Sequence, residues 1–263
     1  MTAINWTKVR KAIVSKTVYR GTMSISAIVV LWELGRRLHM PILGAVPAPT
    51  EVLALLHEIV FASDFWENWV ASFKRIMTGF IAGQIIGIPL GLAMAMNRVA
   101  RDITFPVLEI MRPIPPLAWV PAAIIFWPTT ESSIAFVIFL GAFFTVVLNV
   151  LGGARDIDVR YLRAARSLGS QPRDIFFRIV LPATLPSIFT GMAVGMGITW
   201  EVVVAAEMIA GKSGLGYLTW SSYVGGNYPL IVIGMISIGI AGYISSSLIR
   251  LTGKLASPWQ RLF

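Results

Sequence analysis

The sequence predicts an all-α, polytopic membrane protein with about six transmembrane helices, and two observations predict this fold class. First, 56% of the 263 residues are hydrophobic and only 13% are charged, whereas soluble domains carry roughly 25% charged residues. Second, charged residues are absent from five long stretches, namely 76–97, 113–130, 132–154, 179–200 and 213–249. A transmembrane helix needs about 20 predominantly apolar residues. The composition therefore argues against a water-soluble enzyme.

Six membrane spans account best for the apolar stretches, and they are predicted at 20–38, 76–97, 104–127, 133–152, 183–209 and 229–250. The first follows a basic N-terminus and lacks a small-residue cleavage site, so we interpret it as a retained span and not as a signal peptide. No internal repeat is apparent, and we predict a single transmembrane domain over residues 1–263.

The third predicted span is unusual because it contains five prolines. Proline breaks or kinks a helix. An interrupted span is tolerated in a membrane only where the freed backbone groups face protein or a water-filled cavity. We therefore expect this span to be kinked or interrupted and to line a cavity.

The distribution of basic residues predicts the orientation. Sixteen of the 22 lysines and arginines lie in the two termini, in the 98–101 connection and in the loop at about 152–182. The positive-inside rule places these segments in the cytoplasm. We expect a bacterial inner (plasma) membrane protein with both termini cytoplasmic. The net charge of +9 then reflects topology, and the expected partner is the lipid bilayer and not nucleic acid.

The 152–182 loop has the pattern of two short helices joined at Gly169. On the first helix, one face is apolar and a neighbouring face carries three arginines; the apolar residues are Tyr161, Ala165 and Leu168. Gly169 is placed to end this helix. Such a helix pair suits insertion into a groove on a soluble partner. The alternative is a loop whose arginines only fix the topology.

Residues 163–182 resemble the cytoplasmic-loop signature of bacterial ABC importer permeases. The residues that carry the resemblance are Arg163, Ala164, Ala165, Gly169, Phe177, Leu181 and Pro182. Arg163 stands where the family has a glutamate, which removes an anion available for pairing with an ATPase. Three further segments, 112–121, 200–209 and 214–217, are similar to permeases of the nitrate/sulfonate/bicarbonate (taurine-type) branch.

The resemblance implies a type I ABC importer permease fold that works as a homodimer. It also implies two cytoplasmic ABC ATPase subunits, contacted through residues 158–180, and a periplasmic or lipid-anchored substrate-binding protein. The chain has no phosphate-binding Gly-x-x-x-x-Gly-Lys-[Ser/Thr] loop, no cysteine and only two histidines. We therefore expect a transport subunit that binds no cofactor or metal, with ATP and Mg on the partner ATPase. Sulfonate or taurine is the leading substrate class, followed by nitrate or bicarbonate.

Ionisable and aromatic side chains within the spans are the candidate pathway residues, because charged groups are costly in a membrane. They are Arg112, Trp119, Trp200, Glu201 and Glu207. Arg112 either lines the path of an anionic substrate, since a guanidinium suits oxyanions, or pairs with Glu109 and braces the kink. Trp119 either walls a small cavity or lies at the membrane interface.

The two glutamates lie six residues apart and are expected to face different ways. Glu201 either contacts the cationic part of a zwitterionic substrate, pairs with Arg112, or forms a structural hydrogen bond between spans. Glu207 is expected to anchor packing or the dimer.

A secondary transporter or channel that works without an ATPase is the alternative function. It predicts an acidic residue that couples to protons or sodium and an inverted internal repeat. The absence of an apparent repeat favours the ABC importer.

Overall fold

The computed structural model describes residues 16–41 and 46–259, and no strand occurs within these ranges. The all-α prediction is confirmed. The helices are α1 (Lys16–Arg37), α2 (Pro49–Ile59), α3 (Ser63–Met96), α4 (Arg98–Met111), α5 (Val120–Phe126), α6 (Thr130–Arg155), α7 (Val159–Ser167), α8 (Pro172–Ile175), α9 (Leu181–Ala210), α10 (Leu215–Val224) and α11 (Tyr228–Ala256). A 3₁₀ turn, Pro116–Trp119, precedes α5, and a π-helical segment, Phe176–Val180, precedes α9.

The described residues divide into two compact units, one of residues 16–41, 46–62 and 222–233 and the other of residues 63–221 and 234–259. In the first unit, α1 and α2 are joined at Glu33. Its carboxylate accepts a hydrogen bond from Thr50 Oγ1 at 3.2 Å and from Arg37 Nε at 2.7 Å. These contacts fix the start of α2 against the last turns of α1.

Fewer spans are found than the six predicted. In the described part of the chain, four helical segments are long and apolar enough to cross a membrane: Ser63–Met96, Thr130–Arg155, Pro172–Ala210 and Tyr228–Ala256. The pair of α4 with residues 116–126 makes a fifth if it counts as one broken span. Helix α1 covers nearly all of the first predicted span but does not meet the same criterion, because charged residues lie near both of its ends and a threonine and two serines lie between them.

The predicted interruption of the third span is confirmed. Helix α4 ends at Met111, and the next helical segment, from Pro116, is bent by 85° relative to it. Pro115 precedes the 3₁₀ turn with extended torsion angles, as expected for a residue that itself precedes a proline. The prolines between the two segments therefore replace a straight span with a broken span or a re-entrant loop.

Helix α3 begins thirteen residues before the predicted span at 76. Its first turns carry Asp64, Glu67 and Lys74, which are exposed on one side, while Phe65 and Ser72 are buried on the other. The charge-free run shows only the apolar part of this helix, because its first half is amphipathic. At 34 residues α3 is about 50 Å long, which exceeds the roughly 30 Å hydrocarbon core of a bilayer.

A row of glycines spaced four residues apart allows α3 to pack closely against α6. The row consists of Gly79, Gly83, Gly87 and Gly91. A Cβ atom on Gly79 would lie 2.5 Å from the carbonyl oxygen of Ala135, and one on Gly83 would lie 2.8 Å from Ala142 Cβ. Small residues at this spacing let membrane helices approach closely. The contact between α3 and α6 is thus set by the backbone along most of the membrane-spanning length of α3.

A buried ionic network joins α3 to α6 and to the loop after α9. Arg75 donates two hydrogen bonds to Glu131, from Nε at 2.7 Å and from Nη2 at 2.6 Å. Its Nη1 donates to Glu207 at 2.8 Å and to the Ser213 carbonyl at 2.6 Å. The Arg75 side chain is 5% exposed and that of Glu207 is fully buried. Glu131 is 65% exposed. The guanidinium therefore offsets the buried carboxylate of Glu207 and also binds a second carboxylate that water solvates.

Backbone and hydroxyl donors complete the coordination of Glu207. Ser72 Oγ donates to it at 2.8 Å and the Gly216 N–H at 2.9 Å. The Leu215 N–H in turn donates to Ser72 Oγ at 2.8 Å. The chain immediately before and at the start of α10 is consequently held against α3 by a fully hydrogen-bonded carboxylate.

We predict that Arg75→Met will destabilise the protein far more than Lys74→Met. Removing Arg75 leaves Glu207 as an uncompensated buried charge, which costs about 3–5 kcal/mol. Lys74 is the neighbouring base but is exposed, and changing such a residue usually alters stability by less than about 0.5 kcal/mol. Thermal unfolding in detergent measures both. Adding Glu207→Gln to Arg75→Met should recover part of the loss. Equal unfolding temperatures for the two single variants would contradict a structural role for the network.

Candidate functional site

Helix α7 ends in the conformation that Gly169 was predicted to provide. Gly169 has a φ of +78°, a region that residues with a Cβ rarely adopt. The Ser170 N–H donates to the Ala165 carbonyl at 3.1 Å and the Gly169 N–H to the Arg166 carbonyl at 3.0 Å. These two bonds form a Schellman motif, which satisfies the free carbonyls at a helix end. Gly169 therefore turns the chain sharply after one short exposed helix.

The second predicted short helix is not a separate element. Helix α8 passes through the π-helical segment directly into α9, so that Pro172–Ala210 is one continuous helical segment. The Leu181 N–H donates to the Phe176 carbonyl, five residues earlier. Pro182 directly follows the π-helical segment and lies inside this continuous helix, where it removes one intrahelical hydrogen bond. Leu181 and Pro182 thus connect the 152–182 loop to a membrane span without a break.

The buried face of α7 differs from the predicted one. Ala165 packs with Ile175 and Val180, and Leu162 lies against this cluster. Tyr161 and Leu168, predicted on the same apolar face as Ala165, are exposed, and Leu168 is 86% exposed. The helix is rotated by about one residue because Leu162 and Ala165, three positions apart, fill the space against α8 and the π-helical segment.

The outer surface of this region combines basic and apolar groups. Arg163 and Ala164 are exposed on α7, as is Phe177 on the π-helical segment. Tyr161, Leu168 and Phe177 thereby present large apolar side chains that the described residues leave uncovered. The structure thus brings the predicted signature residues onto one connected segment, with Ala165 packed inside and the others around it.

Asp158 begins α7 and was not anticipated from the sequence. Its Oδ1 accepts the Arg160 N–H at 2.8 Å, and its Oδ2 accepts from Arg160 Nε at 2.8 Å. These hydrogen bonds to Arg160 hold the pKa of the Asp158 carboxyl below its ordinary value. Aspartate at a helix N-cap is a recognisable sequence signal, and it fixes the point at which the loop becomes helical.

Arg112 lies at the break of the third span, where it caps the C-terminus of α4. Its side chain lines a cavity of about 230 Å³, together with Pro116, Gly141 and Thr145 of α6, and Ile198 of α9. The lining is largely apolar apart from the guanidinium and the threonine hydroxyl. Among the described residues, Arg112 is thus the one charged residue that lines an otherwise largely apolar cavity.

Arg112 also makes the contact that the alternative interpretation requires. Its Nη1 lies 3.4 Å from Glu109 Oε1, and the arginine side chain remains 52% exposed. An exposed ion pair of this kind contributes little to stability. Both features, the cavity and the ion pair, are therefore present at the same guanidinium.

The two tryptophans occupy packing positions. Trp200 is buried, and its Nε1 donates to Ser245 Oγ of α11 at 3.0 Å. Trp119 is partly buried against the main apolar core of the second unit. Its indole N–H has no hydrogen-bond partner among the described residues. Neither side chain lines the cavity at Arg112.

Glu201 and Glu207 face different ways, as predicted from their spacing. Glu207 belongs to the buried network described above. Glu201 is exposed and makes no hydrogen bond or ion pair with any residue in the described ranges, Arg112 included.

Sequence reasoning missed Arg75 and Glu131. The only sequence signal for Arg75 was its position directly before a charge-free run. Such a position is typical of the end of a membrane span and does not indicate a buried ion pair.

Comparison with known proteins identifies the family. Residues 87–261 match the family described as the binding-protein-dependent transport system inner membrane component. The chain is 32% identical to the nitrate import permease protein NrtB of Synechocystis over 256 residues, covering 94% of this chain and 92% of that protein. It is also 32% identical to the taurine transport system permease protein TauC of Escherichia coli over 246 residues, 90% of each.

A solved structure shares the fold. The MetNI methionine ABC transporter in an inward-facing conformation superposes on this chain with a TM-score of 0.59 and 20% identity, over 74% of this chain and 96% of that one. The two structures share the fold of an ABC importer permease, which the sequence resemblance implied. The family match, the two relatives and this shared fold together identify the family of the chain. The chain belongs to the family of inner membrane components of binding-protein-dependent transport systems and is a multi-pass permease, a transport subunit and not an enzyme.

Proposed function

We propose that this chain forms the translocation path of an ATP-driven ABC importer for a small oxyanion nutrient. Sulfonate or taurine is the leading substrate, and nitrate or bicarbonate comes next. The names of the two relatives, nitrate import and taurine transport permeases, support this substrate class. The observation that carries the proposal is the position of Arg112 at a small, largely apolar cavity in a broken span.

The physics of the cavity supports an anion over a neutral or larger substrate. An anion crossing a membrane protein needs a compensating positive charge, and a guanidinium offers planar donors that match oxyanion geometry. Sites for drug-sized ligands measure about 300–1,000 Å³, so a cavity of about 230 Å³ suits a smaller molecule. Glu201 is exposed and unpaired in the described structure and does not line this cavity. We propose that its carboxylate contacts the amine if the substrate is taurine.

We further propose that the importer contains two copies of this chain, two cytoplasmic ABC ATPase subunits and a periplasmic or lipid-anchored substrate-binding protein. ATP and Mg are bound by the ATPase, and this chain binds no cofactor. The exposed surface of residues 158–180, with Tyr161, Leu168 and Phe177, provides apolar groups for insertion into an ATPase groove. Because α8 continues into α9, a movement of this loop is transmitted to a span.

In this proposal the protein lies in the bacterial inner membrane with both termini and the 152–182 loop in the cytoplasm. The six arginines of that loop support this orientation. The basic residues 8, 10, 11 and 261, which also contribute to it, lie outside the described residues.

Purification of the complex tests the assembly. We expect native mass spectrometry to find two copies of this chain with two ATPase subunits, and we expect no ATP hydrolysis by the chain alone. Proteoliposomes that contain the complex should accumulate substrate only with ATP and the binding protein. Transport by the isolated chain, driven by a proton or sodium gradient, would instead establish the alternative of a secondary transporter.

We predict that Gly169→Val will uncouple ATP hydrolysis from transport. A β-branched residue with positive φ is strained by about 1–2 kcal/mol, so the turn after α7 would change. Gly226→Val is the matched control, because Gly226 also has a positive φ, +73°, and nothing lies within 4 Å of an added Cβ at either position. Both variants should insert in the membrane, but only Gly169→Val should lose binding-protein-stimulated ATPase activity. Gly169→Asn should retain much of it, since asparagine tolerates this conformation. Normal coupled transport in Gly169→Val would disprove docking through this loop.

We predict that Arg112→Gln will reduce transport of an anionic substrate by at least tenfold, equivalent to about 1.4 kcal/mol, while assembly and basal ATPase activity stay within twofold. Glutamine keeps some hydrogen bonding but removes the charge. Glu201→Gln should reduce transport less, unless the substrate is zwitterionic. Uptake of labelled substrate into proteoliposomes measures each effect.

A double variant separates the two interpretations of Arg112. If the arginine only neutralises Glu109, then Arg112→Gln combined with Glu109→Gln leaves no unpaired charge and should restore uptake. If Arg112 acts on the substrate, the double variant should remain as defective as Arg112→Gln alone. Recovery of uptake would exclude the pathway role.

A further inference from the structure

A small crevice lies between the first third of α9 and the last turns of α11. It has a volume of about 180 Å³, and the residues that shape it are Phe189, Thr190, Arg250, Gly253, Lys254 and Ser257. Gly253 is buried against Phe189, and a Cβ atom added to it would lie 2.7 Å from Phe189 Cβ. This glycine therefore lets the two helices approach and forms the floor of the crevice.

Two positive charges on the crevice lack an acidic partner. Arg250 and Lys254 are four residues apart, so they lie on the same face of α11, and both are exposed. Within the described residues, Arg250 donates only to Ser247 Oγ, at 2.9 Å, and Lys254 makes no hydrogen bond or ion pair. No aspartate or glutamate follows Glu207 in the sequence. The crevice consequently presents an uncompensated pair of cations.

An apolar surface adjoins these cations. Successive helical residues are rotated by about 100°, which places Leu251 and Leu255 beside the Arg250–Lys254 face. Both leucines are exposed, at 54% and 65%. Arg250 lies six residues before the end of α11, about 9 Å along the axis. Long basic side chains near the ends of spans extend toward the membrane interface.

We propose that this crevice binds the phosphate headgroup of an anionic glycerophospholipid. The phosphate lies between Arg250 and Lys254, and the acyl chains lie along Leu251 and Leu255. Basic crevices between transmembrane helices are known to bind anionic lipid headgroups. The volume accommodates a phosphate group and is smaller than the sites of drug-sized ligands, about 300–1,000 Å³. Free phosphate has the same charge chemistry, but the adjoining leucines favour a lipid. This site is separate from the cavity at Arg112 and does not depend on the transported substrate.

Native mass spectrometry of the full-length protein in detergent tests the site. The probes are dioleoylphosphatidylglycerol, dioleoylphosphatidylcholine and inorganic phosphate. We expect bound phosphatidylglycerol at lipid concentrations where phosphatidylcholine does not bind. Each cation contributes about fivefold to the binding of an anionic lipid, so Arg250→Gln with Lys254→Gln should weaken phosphatidylglycerol binding by about thirtyfold. Millimolar inorganic phosphate should leave the bound lipid in place.

Two further variants make the test specific. Arg98→Gln with Arg101→Gln removes the same charge at the start of α4, where both arginines pair with Asp102, and should change lipid binding by less than twofold. Thr190→Leu fills the crevice without changing the charge and should also weaken binding, which keeps the test valid if the double variant at 250 and 254 does not fold. Equal losses in the two double variants, displacement by phosphate, equal binding of both lipids, or unchanged binding in Thr190→Leu would each overturn the proposal.

Discussion

The close approach of α3 and α6 is the constraint on which the second unit depends. Inside a membrane the hydrophobic effect does not drive helices together, so packing must come from close van der Waals contact. The four glycines of α3 supply that contact against α6. A neighbouring face of α6, about 90° around the helix, carries Gly141 and Thr145, which line the cavity at Arg112. The backbone contact with α3 thus fixes the helix that forms one wall of this cavity.

The network around Arg75 shows how the fold accommodates charge within a span. A buried charge is costly unless it is paired and its remaining hydrogen-bonding groups are satisfied. Here the guanidinium binds two carboxylates, and Glu207 receives additional donors from a hydroxyl and from the backbone at the start of α10. The guanidinium therefore offsets the buried charge of Glu207, while Glu131 is 65% exposed and solvated. The same contacts hold the start of α10 in place. Arg112 and Glu201 differ, because each remains exposed to potential ligands.

Much of the fold follows from local sequence patterns, since charge-free runs locate the cores of α3, α6, α9 and α11 and the prolines locate the break after α4. These patterns do not reveal contacts between residues that are distant in the sequence. They also do not reveal the part of a helix that is amphipathic. The amphipathic first half of α3 was missed because only its apolar part forms a charge-free run. In the 152–182 loop, the end of α7 at Gly169 was predictable, because glycine adopts the conformation that commonly ends a helix. The pairing of Arg75 with Glu207 was not, because 132 residues separate them.

The π-helical segment between α8 and α9 has a geometric consequence for any force applied to the 152–182 loop. A π turn contains about one residue more than an α turn. Its conversion to regular α-helix would rotate everything before it by about 100° about the axis and shift it by about 1.5 Å. Straightening of Phe176–Val180 would therefore present the loop at a different angle around the axis of α9. Because Val180 packs with Ala165 and Ile175, the same change would also alter the contact between α7 and the start of the span.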